Sequence, residues 1–263
     1  MALQKTLRTF DLVLFNVVAI VGLRWVALTA HSGPSSLVLW VLAAVAFFIP
    51  QGLCVMTLSS AMPKEGGLYV WIGEAFGDRH GFIAGWLYWS SNILYFPTLT
   101  LSTVVFALYV FNLRFAALEN SATYTAGASL LLLMVALWLN IIGMKSGRWL
   151  QNLGGLAQWI PAIVAVAVGV VALLASGSAT PMPASSLLPS FSKLDTVIFF
   201  SQMCFAFAGL ELAPILAGEI VDARRSIPRA LMLSGAAIAA IYVLSTLALM
   251  WALPAQQISI IGG

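Results

Sequence analysis

Charge is scarce in this sequence. Only 8% of its 263 residues are Asp, Glu, Lys or Arg, against roughly a quarter in soluble globular domains. Four stretches carry none: Trp25 to Pro63, His80 to Leu113, Trp149 to Ser192 and Ala230 to Gly263. A chain that is 61% hydrophobic and so poor in charge is excluded from the water-soluble class and reads as an integral membrane protein. Cysteine is scarce as well. Cys54 and Cys204 both lie in apolar runs, so they read as packing residues and not as a disulfide or metal pair. No span carries a His/Asp/Glu cluster with metal spacing or a Ser/His pair, so neither an enzyme nor a bound cofactor is expected. The net charge is only +3, which gives no argument for a nucleic-acid partner, and none is expected. No lysine follows Lys193, which excludes a retinal protein with its lysine in the last span. The apolar run after Lys5 and Arg8 lacks an early small-residue cleavage site, so the first span is expected to be retained.

What the chain does have is long apolar runs. Crossing a bilayer as a helix takes about 20 apolar residues. Turn signals divide the runs into seven spans, at about 11–30, 36–61, 81–111, 124–143, 153–175, 194–219 and 230–253. A polar loop is expected from Pro63 to His80 and a Ser/Pro-rich one from Ser176 to Ser192, with a basic segment from Asp222 to Arg229. The expected fold class is all-α, a polytopic membrane helix bundle forming a single transmembrane domain over residues 1–263.

Basic residues set the orientation. With the N-terminus in the cytoplasm, Lys5, Arg8, Lys64, Arg79, Lys145, Arg148, Arg224, Arg225 and Arg229 fall inside, and only Arg114 and Lys193 fall outside. The bias supports this topology in a cytoplasmic membrane. Trp25, Trp40, Trp71, Trp149 and Trp251 near span ends read as interfacial anchors.

Two spans are irregular. The sixth, FFSQMCFAFAGLELAPILAGE from Phe199 to Glu219, contains Gly209, Glu211 and Pro214. Glycine loosens a helix, and proline removes a donor and clashes one turn back. A carboxylate at that depth is costly and points to a role. Either the helix unwinds there into a binding site, or it is a kinked span with Glu211 paired to a neighbour. In the first span, Val21-Gly22-Leu23-Arg24 places an arginine roughly 20 Å along the helix. Arg24 either snorkels outward beside Trp25 or meets a carboxylate, from Glu211 or from a substrate. Paired defects five spans apart match the broken helices of inverted-repeat transporters, whose half-helix termini meet at the midplane.

Three segments carry a family likeness: FNVVAIVGLRW in the first span, PKEGGLYVWIGEAFG after the second, and FFSQMCFAFAGLELAPILAGEIVDARRSIPRAL in and beyond the sixth. With these the chain resembles the amino acid permeases of the amino acid–polyamine–organocation (APC) superfamily, especially the glutamate/GABA-antiporter-like branch. The resemblance implies a LeuT-like inverted-repeat fold, with a first repeat at about 11–175 and a partial second at about 194–253. It implies secondary active transport of an amino acid or related amine by alternating access, through exchange or proton coupling. Substrate would meet backbone around Val21 and Gly22, beside Arg24, and around Ala206, Phe207, Ala208 and Gly209. Phe205 matches a stacking gate, and Glu211 the acid implicated in gating or proton handling. In the third span Asn92 reads either as a pathway residue or as an interhelical hydrogen bonder. The first-span glycine motif is reduced to one glycine, and position 206 offers no hydroxyl.

Seven spans do not complete two five-helix repeats. The resemblance therefore leads to the expectation that the eighth to twelfth spans are missing, and that this chain alone does not transport. The alternative raised by the span count is a seven-helix membrane receptor or sensor. That would place the N-terminus outside, against the charge bias.

Overall fold

The computed structural model describes residues 5–111, 118–142 and 144–258. Arg114, Gly143 and the terminal residues 259–263 lie outside the described residues, as do the side chains of Lys145, Arg148 and Trp149. Among the described residues the chain is helical, with one isolated parallel bridge between Leu7 and Ile220 and no named strand. This is the expected polytopic helical membrane bundle: among the described residues six helices are long and apolar enough to cross a bilayer, and the spans number seven if a bent pair counts as one.

The bent pair is α1 (Thr9–Ile20) and α2 (Leu23–His31), inclined by 50°. Then come α3 (Ser35–Ala43), a π-helical turn (Ala44–Phe48) and α4 (Ile49–Ala61). Pro50 explains the wide turn. It lacks an N–H and its ring crowds the carbonyl one turn back, so the ladder loosens just before it. The expected loop after Ala61 is shorter than read from sequence. It contains α5 (Leu68–Phe76), and α6 (Asp78–Phe111) starts at Asp78, before Gly81. Next are α7 (Ala122–Ile142), α8 (Met144–Ser176) and the short α9 (Ala184–Leu187). The sixth span is α10 (Leu194–Ala206) followed by a 3-10 helix, Leu210–Glu219. The seventh, α11 (Ala223–Ala252), takes in most of the basic segment that the sequence left as a connection.

The chain divides into two compact units. One comprises the described residues of 68–150, where α5 lies on α6 and α6 on α7. Gly81 permits the first of these: a Cβ there would sit 3.0 Å from the Cα of Gly73. The other unit comprises the described residues of 1–67 and 151–261 and holds both broken spans. Its spine is α11, which packs against α1, α2, α3, α4 and the 3-10 helix. Close approach of α8 to α11 rests on Gly169, whose added Cβ would lie 2.5 Å from the Ala248 carbonyl.

Segments flanking the spans of this unit pair at both of its ends. Entrance and exit of the first and sixth spans meet where Leu7 N–H donates to Glu219 O at 3.1 Å and Val221 N–H to Leu7 O at 2.9 Å. At the opposite end, Thr180 N–H donates to Met250 O at 2.9 Å and the His31 ring meets Ile258 O at 3.0 Å.

Two tryptophans expected at the bilayer interface are buried instead. Trp40 is fully enclosed and Trp71 nearly so. The indole nitrogen of Trp40 donates to the Thr246 hydroxyl at 3.1 Å, a contact that only the tertiary fold supplies. Cys54 and Cys204 are free thiols; Cys54 is exposed on the outside of its helix, so it is not a packing residue.

Candidate functional site

In a bilayer, every backbone group released by a helix break must find a partner within the protein. The first break is two residues long. Val21 (φ −70°, ψ 114°) and Gly22 (φ −121°, ψ 115°) are both extended. A Cβ at Gly22 would sit 3.0 Å from Trp25 Cδ1, so a side chain there would press on that ring. The helix resumes at Leu23, so Arg24 stands in the first turn of α2. Its guanidinium lies 4.8 Å from the centre of the Trp25 ring, a cation–π contact.

The second break covers Phe207, Ala208 and Gly209. The α10 ladder tightens at its end, with Ala208 N–H donating to Phe205 O at 3.0 Å. Gly209 then turns at φ +129°, a conformation that side chains rarely adopt. Pro214 has no donor to offer an α-ladder, and the chain continues as a 3-10 helix of 10 residues. Runs of this kind longer than three or four residues are uncommon and mark strain or a hinge.

The released groups are taken up by Glu211, which the sequence marked, and by two residues that sequence reading did not single out, Tyr242 and Gln158. Tyr242 of α11 donates its hydroxyl proton to Ile20 O at 2.7 Å and to Ala206 O at 3.1 Å. The same oxygen accepts Gly22 N–H at 3.2 Å. Gln158 of α8 donates to Val21 O at 2.7 Å. Glu211 caps the 3-10 helix: one carboxylate oxygen accepts Gly209 N–H at 3.0 Å and Gln51 Nε2 at 3.1 Å. All three sit in apolar runs, and polar side chains at membrane depth were the available signal. What sequence lacked was any indication that they face the same point.

The two breaks touch. A Cβ on Gly209 would fall 2.8 Å from Ile20 Cγ1. Around them lies an aromatic cluster: Trp40 stacks on Tyr242 at 4.4 Å, and Phe207 stacks on Phe48 at 4.5 Å. The Phe207 side chain is thus fully buried among core rings, and only its main chain belongs to the break. Phe205 is different. It is 56% exposed, and its ring meets Trp25 edge-on at 5.9 Å across the two broken helices. Of the sequence-predicted residues, Val21, Gly22, Arg24, Phe205, Ala206, Phe207, Ala208, Gly209 and Glu211 therefore fall in one compact unit at the breaks. Asn92 lies in the other unit, where its amide donates to the Tyr88 carbonyl of its own helix at 2.8 Å.

Helix ends at the breaks carry opposite partial charges. The N-terminus of α2 has Gly22 at its cap with no side-chain cap bond, so its positive end is left to main chain. The C-terminus of α10 presents carbonyls. Such a pair suits a small molecule bearing both a carboxylate and an ammonium group. The model of the family described as amino acid permease matches residues 6–263.

This chain belongs to the amino acid permease family, within the APC superfamily. An uncharacterized transporter of Legionella pneumophila is 33% identical over 99% of this chain and 56% of its own length. The probable agmatine/putrescine antiporter AguD of Lactococcus lactis is 30% identical over 89% of the chain and 49% of its own length. Human Asc-type amino acid transporter 1 is 27% identical over 87% and 44%. The permease chain thus spans about half the length of these relatives.

Proposed function

We propose that this chain supplies the substrate-holding half of a secondary active transporter for amino acids or related amines, working by alternating access through exchange or proton coupling. The observation that carries the reading is the junction of the two broken spans under one hydroxyl, with oppositely polarised helix ends beside it. Main chain at Val21–Gly22 would take the carboxylate end of the substrate, and main chain at Ala206–Gly209 the amine end. Arg24 and the exposed Phe205 ring flank that position, with Phe205 as the gate. Glu211, held by Gln51 and by Gly209 N–H, is the proton-linked group. The transporter names of the relatives support the same class and give no support to a seven-helix receptor or an enzyme. The proposed setting is a cytoplasmic membrane with the N-terminus inside, in line with the basic residues on that side. The repeats are proposed at about 11–175 and 194–253 of one transmembrane domain.

A thermal-shift screen of the purified chain in detergent, against a panel of amino acids and amines, tests the proposal. A ligand at about 100 times its dissociation constant stabilises the folded state by roughly 2.7 kcal/mol. At least one zwitterion or amine is expected to raise the melting temperature, and Gly209→Ala is expected to remove that rise. A panel without any shift overturns the assignment of the breaks as the binding site.

A further inference from the structure

Tyr242 has one hydroxyl proton and two carbonyls in front of it. Ile20 O, at 2.7 Å, ends the first half of the first span; Ala206 O, at 3.1 Å, ends the first half of the sixth. The oxygen also accepts Gly22 N–H, from the start of the other half-helix, at 3.2 Å. A phenol has a single donor and two lone pairs, so the proton is shared between the carbonyls. The ring is fixed, being fully buried, stacked on Trp40 at 4.4 Å with an interplanar angle of 9°. The hydroxyl's position therefore depends on α11 and not on its own rotation.

Above and below this point α11 grips the first span by separate bonds. Asn16 of α1 donates to the Ser234 hydroxyl at 2.9 Å. Thr29 of α2 meets the Thr246 hydroxyl at 3.1 Å. Both halves of the span are anchored to the same helix, and the break between them is the part left to adjust.

We propose that Tyr242 is a positioning residue that couples the two breaks. When either carbonyl moves away, the proton passes wholly to the other, so the main chain at one break senses the state of the other. The inference deepens the transporter reading above by naming what keeps the two half-sites in register, yet its test needs no substrate and so stands or falls separately.

The test is amide hydrogen exchange on the unsubstituted chain, on Tyr242→Phe and on Ser234→Ala, all in the same detergent. Tyr242→Phe keeps the ring and removes only the hydroxyl. Exchange is expected to rise roughly five- to tenfold in peptides covering residues 20–25 and also in those covering 206–210. Peptides in the Thr29 and Thr246 layer should be unchanged. Ser234→Ala should raise exchange only around Asn16. A rise confined to 20–25, a rise spread evenly over the unit, or no rise overturns the coupling. Should Tyr242→Phe fail to fold, proton NMR of the unsubstituted chain decides. A slowly exchanging Tyr242 hydroxyl with a cross-peak to the Gly22 amide supports the proposal, and a hydroxyl in fast exchange with water overturns it.

Discussion

Gly209 faces Ile20 so closely that a Cβ would lie 2.8 Å from Ile20 Cγ1, and it does so at φ +129°. Two independent constraints thus fall on one glycine. Gly209→Ala is expected to cost about 1–3 kcal/mol from backbone strain alone, before the clash is counted. Unfolding in detergent, followed by tryptophan fluorescence, measures this. An unchanged melting temperature would mean that the sixth-span turn is not held in this conformation.

Adjacent glycines in α8 give a sharper contrast. Gly154 has nothing within 4 Å of an added Cβ, whereas Gly155 would place one 2.8 Å from Leu14 Cβ. Gly154→Ala is expected to be neutral or mildly stabilising, by up to about 1 kcal/mol from helix propensity. Gly155→Ala is expected to destabilise, and Gly169→Ala more so, because it meets Ala248 backbone. Equal melting temperatures for the 154 and 155 variants would contradict the α1–α8 packing.

Trp40 is a core residue, not an anchor. Its removal opens a cavity beside Tyr242 and Phe207 and strips a donor from Thr29 and Thr246. Trp40→Ala is expected to cost about 3–5 kcal/mol. Exposed Trp86→Ala, on a helix of the other unit, is expected to leave stability within about 0.5 kcal/mol. Comparable losses from the two substitutions would argue against a buried Trp40.

Glu211 joins Gln51 to the Gly209 amide. Glu211→Gln removes the carboxyl group but keeps an oxygen for Gly209 N–H. The pH profile of ligand-induced stabilisation is expected to flatten, with ligand affinity at neutral pH falling less than fivefold. A profile that keeps its shape rejects Glu211 as the proton-linked group.

Much of this protein was legible in one dimension. Apolar runs of sufficient length, divided by turn signals, led to an expectation of seven spans, and six helices plus one bent pair among the described residues agree with it, because hydrocarbon accepts few charges and a helix needs a set length to cross it. Gly22, Gly209 and Pro214 marked both interruptions, because glycine and proline act on local backbone whatever surrounds them. Local signals also misled. Trp40 near a span end looked like an anchor, and residues 68–76 between two glycines and a charge pair looked like a loop, since propensity says nothing of what packs against a segment.

Only the tertiary structure decided which side chains serve the breaks. Tyr242 stands 222 residues from Ile20 and 36 from Ala206, so no spacing rule relates them. Gln158, 137 residues from Val21, and Gln51, 160 from Glu211, are equally remote. The sequence by itself determined where the helices must give way; the folded bundle determined who satisfies the exposed main chain. The reason is that a broken backbone bond is a local event, whereas its replacement in a dry interior must come from another helix.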